Sequence, residues 1–139
     1  QNNLPADVAV FSAAVGDFKI KDQKEQKIKK KDYINLNLEK NIDILNYVSN
    51  HNSQRPKLVI GFAAETNNLE DNAKKKLAEK NCDWIIANDV SNESIGFDSD
   101  FNEVTIFYKN HKIDDEKITI KKKSQISDEI IERVISQLN

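Results

Sequence analysis

Hydrophobic and polar positions change period several times along the chain, and each change marks an element. Val8 to Val15 begins apolar, passes into the small residues Ala13, Ala14 and Gly16, and ends at Asp17, which predicts a buried strand running into a turn. Leu58, Val59 and Ile60 form a continuous apolar run without polar alternation, the pattern of a central parallel strand covered on both faces. Trp84, Ile85, Ile86 and Ala87 repeat that pattern. Between the two runs Leu69, Ala73 and Leu77 recur at i, i+4 and i+8, predicting a helix over roughly Leu69 to Lys80. Tyr33 to Leu38 alternates with period two and predicts a half-exposed edge strand. Ile42, Ile44, Leu45 and Val48 then predict the inward face of a helix capped by Asn41. Val104 to Tyr108 and Lys117 to Lys121 predict a β-hairpin around the turn Asn110 to Asp115. Ile126, Ile130, Ile131, Val134, Ile135 and Leu138 share one face of a closing structural helix, with Ser124 or Ser127 near its cap.

Strand, helix and strand in this order predict an α/β fold with a parallel sheet, and they place chemistry at one edge. After the Leu58 run come Gly61, Ala63 and Ala64, small enough for close approach, then Thr66, Asn67 and Asn68, all good helix caps. The Trp84 run ends at Asn88 and Asp89, so both strands deliver small and polar residues to their carboxyl ends, where open α/β sheets bind ligands. Phe18 to Asp32, with Lys19, Lys21, Lys24, Lys27, Lys29, Lys30 and Lys31, predicts a mobile loop of about fifteen residues, long for a compact domain. It reads either as a solvated basic loop or as a phosphate-clamping flap, and pattern alone favours the former. Lys76 and Lys80, one helical turn apart, either reach a triphosphate or complement the negative end of their helix, and pattern alone favours the second role. Glu65 and Asp89 suit Mg²⁺ or backbone capping equally in residue type. Phe97, Asp98 and Asp100 either meet a base or ribose or fold their own loop, in which Gly96 is the expected positive-φ residue. His51 falls in a polar turn and reads as an exposed loop residue.

Composition narrows the function classes. The 139 residues carry a formal charge of -2 with 38% hydrophobic residues, which fits one domain and argues against general nucleic-acid binding. No apolar run approaches the roughly 18 residues of a membrane span, and the first residues lack the basic flank and apolar segment of a signal peptide. A cytoplasmic location is expected. One cysteine, Cys82, with His51 and His111 makes neither a disulfide nor a metal-ligand set. The abrupt start, without a preceding helix or a Gly-x-Gly-x-x-Gly loop, leads to the expectation that the amino-terminal part of the domain is missing.

Six segments in order carry a resemblance: Ala13-Ala-Val-Gly-Asp17, Lys27-Ile-Lys-Lys30, Leu38-Glu-Lys-Asn-Ile-Asp-Ile44, Gly61-Phe-Ala-Ala-Glu-Thr66, Ala87-Asn-Asp-Val-Ser91 and Gly96-Phe-Asp-Ser-Asp100. From about Ala6 to its end the chain resembles phosphopantothenate-cysteine ligase, also called phosphopantothenoylcysteine synthetase. In bacteria this is usually the carboxyl-terminal half of a bifunctional coenzyme A biosynthesis flavoprotein. The resemblance implies a Rossmann-like three-layer parallel sheet with flanking helices, plus a β-hairpin and dimerisation strand region. Residues 1–139 would be one partial synthetase-like domain, with the mobile flap at about 18–32. It also implies CTP, 4'-phosphopantothenate and cysteine as substrates, Mg²⁺ as cofactor, and a homodimer. FMN enters only if a fused phosphopantothenoylcysteine decarboxylase domain lies upstream. No nucleic-acid or membrane partner is implied. In the family reaction the carboxylate attacks the α-phosphate of CTP, releasing pyrophosphate, and cysteine then attacks the acyl cytidylate and expels CMP.

Matched by position, the resemblance assigns nucleotide binding to Phe11, Ser12, Ala13 and Asp17, to Ile42, Asp43, Ile44 and Leu45 at a helix start, and to Phe62, which lines the base. It assigns Lys76 and Lys80 to the nucleotide phosphates, reversing the reading from pattern alone. Lys27 falls on the flap lysine needed for turnover of the acyl cytidylate and is the implied catalytic residue. Metal ligands are not assigned. Ile42 and Gly16 depart from the family's usual Pro and Ala, and neither change removes a charged or donor group. The family's amino-terminal strand, glycine-rich turn and asparagine-bearing segment have no counterpart, so the chain alone is expected to bind CTP without complete synthesis. The alternative readings are a non-catalytic CTP-sensing module and a structural half-domain that functions only by pairing, with the strand Tyr33 to Leu38, including Ile34, Leu36 and Leu38, as its dimer edge. The resemblance implies a dimer through this strand region and the late hairpin.

Overall fold

The computed structural model describes residues 3–22, 26, 35–91 and 99–139. Its elements are β1 (Val8–Phe11), β2 (Phe18–Ile20), β3 (Leu38–Lys40), α1 (Ile44–Ser49), β4 (Leu58–Glu65), α2 (Leu69–Lys80), β5 (Trp84–Asp89), β6 (Phe101–Tyr108), β7 (Glu116–Lys122) and α3 (Lys123–Leu138). Five strands form one sheet in the order β1-β4-β5-β6-β7, and β2 pairs with β3 in a separate two-stranded ribbon. β1, β4 and β5 are parallel, as their unbroken apolar runs predict, and the late hairpin adds β6 and β7 antiparallel to make the sheet mixed.

Helices cover both faces. Leu58, Ile60, Trp84, Ile86, Val104, Ile106 and Ile118 point to one face and bury against Ile126, Ile130 and Val134 of α3. Val59, Ala63, Ile85, Ala87 and Phe107 point to the other, against Ala73 and Leu77 of α2, with Leu45 of α1 at the margin. The alternation follows from the two-residue period of a strand. Ile60, Ile85, Ile86 and Ile106 are wholly buried, each worth about 1.5–3 kcal/mol relative to exposure.

Several expectations need correction. The first strand ends at Phe11, and Phe18–Ile20, expected within a loop, is strand paired antiparallel with Leu38–Lys40. Three-residue strands rich in charge leave too little period to read. Asn35, Leu36 and Asn37 lie outside β3, and Tyr33 and Ile34 lie outside the described residues. α1 begins after Asp43 rather than Asn41: Asp43 Oδ1 accepts from Asn46 N at 2.9 Å, whereas Asn41 Nδ2 donates to Gly16 O at 3.1 Å. Ile42 and Ile44 are exposed instead of facing the core. On α3, Ile131, Ile135 and Leu138 are also exposed, because the apolar stripe is wider than the sheet beneath it. No helix among the described residues is long and apolar enough to cross a membrane.

Candidate functional site

β1 and β4 lie in parallel register, Phe11 beside Gly61, so their carboxyl ends open on the same edge. There the chain leaves β1 through Ser12 to Asp17, while α1 starts close by after Ile42. Two hydrogen bonds fix these segments together: Asn41 N donates to Asp17 O at 2.8 Å, and Asn41 Nδ2 reaches Gly16 O. Gly61 allows α1 to sit this low, since its missing side chain makes room for the Leu45 methyl groups.

A cleft of about 500 Å³ results. Phe11, Ser12, Ala13 and Asp17 line it from the β1 turn, and Ile42, Asp43, Ile44 and Leu45 from the α1 start. Phe62 from β4 and Lys76 and Lys80 from α2 complete it. The eleven described residues that the resemblance singles out are thus brought together, while Lys27 lies outside the described residues. Val10 and Val15 also line the cleft and were not singled out. Val15 was legible from its place in the turn before Asp17. Val10 was hidden because an apolar strand residue reads as core.

The polar groups of the cleft are mutually organised. Lys76 Nζ donates to Phe62 O at 3.0 Å, and Lys80 Nζ reaches Asp43 Oδ2 at 2.5 Å. Partial burial works to raise the Asp43 carboxyl, but the Asn46 amide and the ammonium groups of Lys80 and Lys76 hold it below its ordinary range. Lys80 is raised, first by its hydrogen bond to Asp43 against partial desolvation, with the charges of Asp43, Glu79 and Asp17 adding to the shift. The arrangement offers anchored cations, the aromatic side chains of Phe11 and Phe62, and carboxylates able to accept from hydroxyl or amino groups, a set suited to a nucleotide.

Other candidates do other work. Glu65 Oε2 accepts from Asn72 Nδ2 at 3.0 Å and Asp89 Oδ1 accepts from Ser91 N at 2.8 Å, both at element ends. His51 is partly buried, with Nδ1 accepting from Gln54 N at 3.1 Å and its ring edge-on to Tyr47. Burial pushes the Cys82 thiol up to about 11, so it is protonated at neutral pH and unsuited to nucleophilic chemistry. Gly96, Phe97 and Asp98 lie outside the described residues, and the Asp100 carbonyl accepts from Lys123 N at 2.9 Å.

The sequence profile of the DNA/pantothenate metabolism flavoprotein C-terminal domain matches residues 1–138. The chain belongs to this family. The coenzyme A biosynthesis bifunctional protein CoaBC of Haemophilus influenzae is 42% identical over 132 residues, covering 94% of this chain and 32% of that protein. The CoaBC protein of Bacillus subtilis is 40% identical over 131 residues, covering 93% of this chain and 31% of that protein. The crystal structure of the C-terminal domain of a coenzyme A biosynthesis bifunctional protein CoaBC superposes with a TM-score of 0.69 at 31% identity, over 99% of this chain and 56% of that one. This flavoprotein C-terminal domain chain therefore spans about a third of the length of the curated relatives it matches.

Proposed function

We propose that this domain acts in coenzyme A biosynthesis and binds CTP in the cleft between the β1 turn and α1. Its part is in the CTP-dependent joining of 4'-phosphopantothenate to cysteine. The observation that carries this reading is the cleft itself, in which Asp17, Phe62, Lys76 and Lys80 converge from three elements. The relatives' role in coenzyme A biosynthesis supports the same assignment.

In this reading Phe62 packs against the base, where stacking contributes on the order of 1–3 kcal/mol. Asp17 accepts hydrogen bonds from the cytosine amino group or a ribose hydroxyl. Lys76 and Lys80 neutralise phosphate oxygens, and Lys27 acts on the acyl cytidylate. In the first step a bond forms between the substrate carboxylate and the α-phosphorus as the bond to pyrophosphate breaks. In the second the cysteine amine attacks the acyl carbon, its proton is lost, and CMP departs. The chain's residues contribute positioning and charge rather than a covalent intermediate.

Two carboxylates, Asp17 and Asp43, offset the two cleft lysines, so the described lining brings no net positive charge to a polyphosphate. These oxygen donors suit a hard cation, and among the described residues no group of three or more His, Cys, Asp or Glu side chains could cage one. Mg²⁺ bound together with the nucleotide would supply the missing positive charge. The exposed apolar side chains of the β2-β3 ribbon support a homodimer.

The test pairs binding with turnover. CTP affinity is measured by calorimetry, and pyrophosphate release is followed with 4'-phosphopantothenate and Mg²⁺, with and without cysteine, for the protein and its Lys27→Gln and Lys76→Glu forms. CTP binding that survives Lys27→Gln and falls at least about tenfold in Lys76→Glu is expected, since one like charge replaces an opposite one at short range. Absence of CTP binding by the unaltered protein overturns the reading. Retained binding without pyrophosphate release from any form, including one extended at its amino terminus, favours the CTP-sensing module.

A further inference from the structure

A carboxylate is costly in a cleft that takes phosphate, and Asp43 stands in this one beside both lysines. In an α-helix the Cα–Cβ bonds tilt towards the amino terminus, so Lys76 and Lys80 of α2 lean towards the carboxyl edge of the sheet. Their acceptors differ in kind. Lys76 is held by the neutral Phe62 carbonyl and keeps the rest of its ammonium donors for a ligand. Lys80 is held by a full negative charge at 2.5 Å, with its side chain only 28% exposed.

Asp43 is also the less movable partner. Its second oxygen accepts from Asn46 N and so caps α1. Moving the carboxylate would uncap the helix, whereas moving Lys80 only turns a flexible side chain.

The geometry points to Asp43 as a positioning residue, a built-in counter-ion that ligand phosphate must displace from Lys80. This rests on the nucleotide reading of the cleft and deepens it. A triphosphate brings enough charge to take Lys80 from Asp43, and a monophosphate brings less. Any phosphate that takes Lys80 bears the cost of parting it from Asp43, so the pair weakens phosphate-bearing ligands and leaves the hold on base and ribose unchanged. When CMP is the species in the cleft, Asp43 retakes Lys80 and assists its departure.

The test uses Asp43→Asn, which keeps a side-chain oxygen for the Asn46 amide and removes the charge. Affinities for cytidine, CMP and CTP are measured by calorimetry, alongside the melting temperature. A part-exposed ion pair of this kind is worth little more than a several-fold factor, so CMP is expected to bind about three- to tenfold tighter. CTP should gain at least as much, and cytidine should be unchanged. In a Lys80→Gln background the Asp43→Asn gain should vanish, because the two sites act through one contact. A merely structural role for Asp43 would move cytidine along with the phosphates. Unchanged or weaker CMP binding in Asp43→Asn, or a gain that persists without Lys80, overturns the inference while CTP binding by the unaltered protein keeps the nucleotide reading. No binding of CTP, CMP or cytidine by the unaltered protein removes both.

Discussion

Gly61 lies in β4 directly beneath Leu45, and a Cβ placed there would stand 2.7 Å from Leu45 Cδ2 and 2.9 Å from Ile85 Cδ1. Ile85 is wholly buried and cannot yield, so the strain falls on Leu45 and through it on the start of α1. Gly61→Ala is expected to cost about 1–3 kcal/mol in urea denaturation, the usual penalty for overpacking, and to weaken CTP binding by displacing one wall of the cleft. Unchanged stability together with unchanged binding would show that α1 absorbs the methyl group freely. The need for a small residue at Gly61 was legible from its place directly after the apolar run Leu58 to Ile60, although the strand itself continues to Glu65. Its partner was not, because the packing of Leu45 depends on where a separate helix lands. Ile42 and Ile44 fail for the opposite reason: an isoleucine at helical spacing reads as core, yet Ile42 is 68% exposed and lines the cleft.

At the scale of elements, the ends of α1 and α2 and the starts of β4 and β5 are tied by Arg55, which the sequence shows only as one charge in a polar turn. Its Nε donates to Ser49 O at 2.7 Å and its Nη2 to Asn81 O at 3.1 Å. Nη2 also pairs with Asp83, whose Oδ2 accepts from Val59 N at 2.7 Å. Ser49, wholly buried, donates its hydroxyl to the carbonyls of Leu45 and Lys80, so the same knot holds the two helices that carry the cleft's charged groups. Removal of the guanidinium orphans carbonyls and a part-buried carboxylate, and Arg55→Ala should lose about 2–3 kcal/mol of stability. Arg55→Lys should recover little, since an ammonium cannot serve these separated acceptors at once. Full recovery by lysine in a denaturation experiment would reduce the knot to a simple charge. The long elements β4, α2, β5 and α3 were readable because their apolar periods run for several residues. The ribbon and the cap of α1 were not, since a three-residue strand and the choice between Asn41 and Asp43 as cap are settled by tertiary contacts.

For the whole molecule the β2-β3 ribbon is the outlying part, paired among the described residues with itself, its ladder continued by Asn41 N to Asp17 O where both strands meet the cleft. A two-stranded ribbon is marginal alone in water, and this one leaves Phe18 61% and Leu38 59% exposed, with Ile20 paired to Leu38 and Leu36, 60% exposed, two residues before β3. Such a cluster on so small a support is more stable covered than solvated, and a second copy presenting the same surface gives a closed two-fold contact. The ribbon joins the cleft through Asp17 and Asn41, so pairing it also steadies the β1 turn that carries Asp17. The protein is therefore expected to sediment as a dimer, and Leu36→Ser with Leu38→Ser to shift it to monomer. Monomer formed in this way should bind CTP more weakly, because the turn loses its support while Lys76 and Lys80 keep theirs. A dimer that survives both substitutions in ultracentrifugation would place the contact elsewhere. A monomer that binds CTP as tightly as before would separate self-association from the nucleotide cleft.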